Sequence, residues 1–474
     1  MGDGQDGLGA GRVSVVPPFV DLFPQHDAAT RLANVAGDLH FPKTGHATSR
    51  PIVGFEFSRP LQLFGPRMSR MLLADESILG WIGRQEPLFQ EDLRRHGTGI
   101  DEEIARSSFL VVGGAGSIGG AVVRELFARS PRRLHVVDIS ENNLAELVRD
   151  LRSSLGYATD DFHAYCLDAL GLEFDAFADE ASASGQGYDY VLNFSALKHV
   201  RSEKDPYTLM RLLDVNVFLT RKLLEFARRV GSKKFFCVST DKAANPVNMM
   251  GGSKRIMEMF LIGHGGPTDV STARFANVAF SDGSLPHAWT QRLAKGQPIA
   301  APSDVRRYFV TAREGAQLCL FSILQGADRE IYFPKLSPRL HLMTFAEMAE
   351  RFLRSQGWEP FHCQTEDEAR GRVAELSAAG RWPCYFFPSD TTGEKDFEEF
   401  YTDREQVDWG RYHELGVVRN EAVAEPAALD RFAAAVTAMR ERRRWTKAGL
   451  LEAFGELLPD FAHQETGKYL DNRM

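Results

Sequence analysis

Residues 109–119, FLVVGGAGSIG, constrain this chain more than any other stretch. A short apolar run, as in a buried strand, turns at once into glycines, and GGAVVRELFARS then reads as a helix. Gly113, Gly116 and Gly119 give the spacing GxxGxxG. The first glycine permits a tight turn, the second lets backbone approach a pyrophosphate, and the third lets helix pack on strand. Ser117 and Ile118 lie where the helix N-terminus would face the phosphates. A glycine triplet alone is weak evidence, but a strand before it and a helix after it strengthen the reading.

The alternation continues. RRLHVVDIS reads as a strand ending at Asp138, 19 residues beyond Gly119. A carboxylate there can accept from a ribose 2′-OH and would repel a 2′-phosphate, which favours NAD over NADP. The plainer alternative makes Asp138 the cap of the following helix, ENNLAELVRDL. FHAYCLDAL places Asp168 after a short strand, and YDYVLNFSAL is another strand, ending at Asn193–Ala196 just before Lys198 and His199. DVNVFLTRKLLEFARRV reads as one long amphipathic helix containing Asn216, and FFCVST as the strand after it. Strand and helix in alternation imply an α/β fold with a doubly wound, Rossmann-like parallel sheet.

The stretch Phe235–Lys254 carries the chemistry. Its strand ends at Ser239, Thr240, Asp241 and Lys242, and Lys254 follows on a helix, SKRIMEMFL. Ligands bind at strand ends of parallel sheets, so an acid and a base sit together at the mouth of a crevice, equipped to move protons. The plainer alternative is a strand end, a helix cap and two surface lysines. Further on, Arg274, Arg306 and Arg307 are candidates for gripping a nucleotide diphosphate in bidentate fashion, although for any single arginine plain surface charge is commoner. SDTTGEKDFEEF, residues 389–400, is an acidic turn-rich stretch expected to line or close a second domain.

The organisation expected is an N-terminal extension over 1–103, a cofactor-binding domain over 104–272, a smaller substrate-binding region over 273–420 partly interleaved with it, and a C-terminal helical segment over 421–474. In the extension, MSRMLLADESILGWIGR looks like a helix with an apolar face, packing on the main domain or on another subunit. The net charge of −8 gives no support to nucleic-acid or anionic-membrane binding. Five scattered cysteines without metal spacing fit a reducing compartment and no metal. There is no long apolar run of membrane-spanning length and no signal peptide, so a cytoplasmic protein is expected.

GGAGSIGG, NFSALKHV, DVNVFLT, STDKAANPVNMMGGSK, RFANV, DVRRYF and TTGEKDFEEF occur in that order. Together they resemble the extended short-chain dehydrogenase/reductases, and within them the polysaccharide-biosynthesis UDP-N-acetylglucosamine 4,6-dehydratases. The likeness covers residues 104–420. It implies a tightly bound NAD or NADP, a UDP-sugar substrate and a homo-oligomer. It also implies a cycle of C4 oxidation, loss of water across C5–C6 and hydride return to C6. Carried over by position, Thr240 orients the sugar 4-OH, Asp241 and Lys242 serve the elimination, and Lys254 holds the nicotinamide ribose. The glycine-turn residues, Asp138, Asp168, Ala196, Lys198 and Asn216 hold the cofactor. Lys198, His199, Met250, Arg274, Asn277, Arg306 and Arg307 face the substrate. One departure stands out: the superfamily pairs Tyr-x-x-x-Lys on this helix, and here Met250 stands where tyrosine belongs. A thioether cannot take the 4-OH proton. Larger, membrane-anchored dehydratases resemble this chain in carrying Met there. UDP-sugar 4-epimerization and cofactor binding without turnover are the rival readings.

Overall fold

The computed structural model describes residues 75–474 apart from 264, 337–339, 341, 390–397, 421–425, 464–466 and 468–474. Most of the acidic stretch 389–400 and the first 74 residues therefore lie outside the described residues.

Nine strands form the main sheet, in the spatial order Phe162–Cys166, Arg133–Asp138, Ser108–Val112, Tyr190–Asn193, Lys234–Val238, Asp269–Ala273, Glu330–Pro334, Leu415–Arg419, Gln406–Asp408. The first seven run parallel, and the last two add antiparallel. Ser108–Val112, Tyr190–Asn193 and Lys234–Val238 are buried along their whole length, because helices cover both faces. Residues of helices Ser117–Phe127, Gln90–Arg106 and Ala312–Gln325 share one apolar cluster on one face. Those of Leu172–Ala183, Leu219–Arg229 and Met249–Gly263 share a cluster on the other. The doubly wound parallel architecture expected from the alternation is the one observed. Strand order reverses between Ser108–Val112 and Tyr190–Asn193, and the crevice that such a switch point opens at the strand ends is where the glycine turn lies.

A smaller parallel sheet, Glu359–Cys363, Arg381–Phe387 and Ile299–Pro302, has its own core. Three strands from the expected substrate region, Glu330–Pro334, Gln406–Asp408 and Leu415–Arg419, join the main sheet. The described part of the extension packs on this same chain. The Trp81 ring lies 4.7 Å from Phe280 and 5.2 Å from Phe352. The Asp92 carboxylate, on Gln90–Arg106, accepts from the backbone N–H groups of His413 and Glu414.

The long helix expected over DVNVFLTRKLLEFARRV forms, but its first turn is π rather than α. Pro206–Leu213 and Leu219–Arg229 flank a π turn, Asp214–Phe218. The wider turn carries Asn216, whose side chain is engaged with another loop, and such bulges recur at functional sites.

Two C-terminal helices, Pro426–Glu441 and Lys447–Leu457, pack on Met249–Gly263. A Cβ at Gly252 would lie 3.0 Å from the Phe454 ring, so this glycine sets the distance of approach. Phe454 is fully buried in the cluster that joins the three helices. Phe454→Ala is expected to cost about 3–5 kcal/mol, read as a lowered urea midpoint of the full chain.

Candidate active site

The glycine turn has the geometry its spacing implies. Gly113 adopts φ +74°, and a Cβ there would lie 2.5 Å from the Ser195 nitrogen, where the two central strands part. At Gly119 a Cβ would sit 2.1 Å from the Gly113 carbonyl oxygen, so helix and strand could not close. Gly116 caps the helix Ser117–Phe127, and a Cβ there meets nothing nearer than 3.7 Å. That open backbone at a helix N-terminus suits a phosphate. Asp138 is not the helix cap, because Ser140 fills that position and accepts from the Asn143 N–H. The Asp138 carboxylate instead accepts from the N–H groups of Ala115 and Ser140, which ties the glycine turn to the second strand. Each of its oxygens keeps a lone pair for a ribose hydroxyl. Asp168 accepts from the Leu170 N–H and lies 3.6 Å from Arg211. Ile139, beside Asp138, exposes its apolar side chain, a feature the sequence reading passed over. These residues fit a dinucleotide. Ile118 faces Gly315, and Ser117 exchanges hydrogen bonds with the Asp282 carboxylate and N–H.

At the end of the central strand, Thr240, Asp241 and Lys242 form one connected group. The Thr240 hydroxyl donates to Asp241 Oδ1 at 2.7 Å, and Lys242 Nζ donates to both carboxylate oxygens at 3.1 and 3.2 Å. Asp241 is buried while Lys242 is partly open. Lys254 is buried on the adjoining helix, and its ammonium donates to the Val238 carbonyl at the end of the same strand. Burial pushes its pKa down, against the opposing pull of Cys237 and Glu258.

The loop bearing Ala196, Lys198 and His199 is held from behind. Asn216 accepts from the Leu197 N–H and donates to the Leu197 carbonyl and to Ser253 Oγ. It is fully buried, which corrects its expected contact with the cofactor: it positions the loop against the helix of Lys254. Lys198 donates to Ser281 Oγ, and burial lowers its pKa against the pull of Asp282. Burial, then the charges of Lys198 and Arg201, push the His199 pKa down.

The arginines need correction. Arg274 has no exposed surface, and its five N–H donors are all engaged. Nε and Nη2 donate to Glu258, Nη1 and Nη2 donate to Glu405, and Nη1 also donates to the Phe400 carbonyl. No donor is left to grip a diphosphate. Arg307 is buried 3.6 Å from Glu398, and Arg306 is exposed. Met250 lies in a buried apolar cluster with Leu209 and Phe454.

Glu398 is the residue that sequence reasoning missed. It is buried, accepts from Asn277 Nδ2 at 2.5 Å and from the Tyr308 N–H, and faces the charges of Asp241, Lys242 and Arg307. Burial and then the Asp241 carboxylate push its pKa up to about 7. The FEEF of the family pattern was its one signal, and it did not say which way the acid points.

Such a crevice, with a glycine turn on one wall and a Thr-Asp-Lys strand end on the other, defines an extended short-chain dehydrogenase/reductase of the nucleotide-sugar dehydratase and epimerase kind. More narrowly, the chain belongs to the polysaccharide biosynthesis protein family, whose profile matches residues 109–372, over half of its length. It is 28% identical over 319 residues to an uncharacterized membrane protein of Methanocaldococcus jannaschii, covering 66% of this chain and 85% of that one. It is 27% identical to the probable polysaccharide biosynthesis protein EpsC of Bacillus subtilis, over 52% of this chain but only 41% of EpsC. A Campylobacter jejuni UDP-N-acetylglucosamine 4,6-dehydratase (inverting) is 25% identical over 48% of this chain and 67% of its own. A Rickettsia typhi UDP-glucose 4-epimerase is 26% identical over 52% and 72%. The solved structure of Pen from Bacillus thuringiensis shares the fold, with TM-score 0.54 at 19% identity, covering 68% of this chain and 90% of that one. No helix among the described residues is long and apolar enough to cross a membrane.

Arg274→Met strands two buried carboxylates. It should cost about 3–5 kcal/mol in urea unfolding. A phosphate clamp would instead leave stability unchanged and raise KM alone.

Proposed function

We propose that this chain is a nucleotide-sugar 4,6-dehydratase acting on a UDP-N-acetylhexosamine, with UDP-N-acetylglucosamine the first substrate to test. The observation that carries this reading is the direct Asp241–Lys242 contact beside Thr240. Epimerization at C4 needs no acid/base pair for C5–C6, and a binding protein needs none at all.

A nicotinamide dinucleotide held by the glycine turn, Asp138 and Lys254 would supply the hydride acceptor and donor; Asp138 favours NAD. The chain's own groups handle the protons. The Thr240 hydroxyl hydrogen is committed to Asp241 and one lone pair accepts from the Lys242 N–H, so the other lone pair remains to orient the sugar 4-OH. Asp241 and Lys242 are close enough to share one proton, as carboxylate with ammonium or as acid with amine. In the second form the Lys242 amine takes the C5 proton and the Asp241 acid protonates the departing C6 hydroxyl. Water leaves, the Lys242 ammonium gives its proton back to C5 as C6 is reduced, and the proton taken from the 4-OH passes on to Asp241, so protons balance. Glu398, which faces this pair, takes the part vacated at Met250 as acceptor of the 4-OH proton. Lys198 and Arg306 remain as the cations for the diphosphate.

Purified full-length protein incubated with UDP-N-acetylglucosamine, without added cofactor, should give a product lighter by one water. An epimer of unchanged mass, or no change after NAD and NADP are added and other UDP-sugars are tried, would overturn the reading. Asp241→Asn should lower kcat by about 10²- to 10⁴-fold with substrate binding retained.

Glu398 must be ionised to accept a proton, so kcat/KM should rise as pH passes through about 7. Glu398→Gln should remove that limb and lower the plateau. A profile unchanged in the variant would remove Glu398 from the proton path.

A further inference from the structure

Two histidines lie side by side near one edge of the main sheet. His135 and His163 are direct register partners on the adjacent parallel strands Arg133–Asp138 and Phe162–Cys166. Asp161 precedes the second strand, and its Oδ1 meets both rings, at 2.9 Å from His135 Nε2 and 3.2 Å from His163 Nδ1. One ligand atom from each of the three residues lies within 4.8 Å of the others. Tetrahedral zinc with nitrogen and oxygen ligands near 2.0–2.1 Å requires edges of about 3.3 Å between ligand atoms. Two edges are already close to that value, on strands that a sheet holds rigid.

We propose that His135, Asp161 and His163 form a binding site for a divalent transition metal such as Zn²⁺, with solvent in the fourth position. The site is separate from the reaction proposed above and stands or falls independently of it.

The surroundings support this assignment. His135 Nδ1 lies 2.8 Å from the Tyr188 hydroxyl. Without metal, His135 Nε2–H donates to Asp161, and the other nitrogen accepts from Tyr188. With metal on Nε2, the proton moves to Nδ1 and donates to the same hydroxyl, which can act either way. A ligating histidine is ordinarily oriented by such a partner. Asp161 Oδ2 is held by Arg133 Nε at 2.6 Å, which fixes the carboxylate and leaves Oδ1 for the metal. Arg133 also brings a positive charge that opposes the cation, so the site binds moderately. His163 is exposed, which gives the metal a path in and leaves room for water. Occupancy would clamp the edge strand Phe162–Cys166 to the strand that ends at Asp138.

The test uses metal-free full-length protein titrated with Zn²⁺ against a chromophoric chelator, and with Co²⁺, whose visible absorption reports tetrahedral coordination. The parent should bind one equivalent that His163→Ala and Asp161→Asn lose, with a rise in melting temperature lost as well. Cys166→Ser and His362→Ala, at other exposed candidates, should keep it. Because the chain has 13 histidines, the difference between variant and parent is the readout. Tyr188→Phe should weaken binding about 10- to 100-fold. Arg133→Gln should tighten it on the order of tenfold, by removing a like charge. Equal stoichiometry and affinity in parent and His163→Ala, or no binding by the parent at micromolar metal, would overturn the site.

Discussion

One buried guanidinium joins the parts of this molecule that carry its chemistry. Arg274 follows the strand Asp269–Ala273 and reaches Glu258, on the helix that bears Lys254. Glu258 also accepts from Ser239, the residue before Thr240. The other side of Arg274 holds the Phe400 carbonyl and Glu405, in the segment that brings in Glu398. Burial works to raise the Glu405 carboxyl, but Arg274 and then Arg255 outweigh it and hold it at about 2. Arg255 touches both acids, so two cations face two anions. A buried charge set of this kind is tolerable only when balanced and fully hydrogen-bonded. Its return here is geometric: strand end, helix and C-terminal segment cannot move independently.

That arrangement explains why the sequence was legible in some places and not in others. The glycine turn could be read because its causes are local: a tight turn, an open helix start and a close approach lie within seven residues, Gly113–Gly119. The Thr240-Asp241-Lys242 group could be read for the same reason, since neighbouring residues at a strand end must share a mouth. Arg274 could not, because its second carboxylate lies 131 positions away. A lone arginine looks the same in sequence whether it grips a ligand or fills a core. Asn216 was misplaced because a π turn shifts the face of a helix by an amount that no periodicity of side chains discloses.

Met250 takes its meaning from the same geometry. On the helix Met249–Gly263, Met250 packs among apolar side chains, and the C-terminal helices close over it. Its thioether takes no proton from a sugar hydroxyl. In the proposed reaction that part falls to Glu398, a carboxyl whose pKa burial and then Asp241 push up to about 7. A carboxyl with a pKa near 7 exchanges protons readily with water at neutral pH, whereas one near 4 would be too weak a base for a sugar hydroxyl. Asn277, Tyr308 and Arg307 fix its orientation, and Arg274, through Phe400 and Glu405, fixes the segment beyond it. Arg274, which has no exposed surface for a substrate, thus helps to fix the segment that carries Glu398.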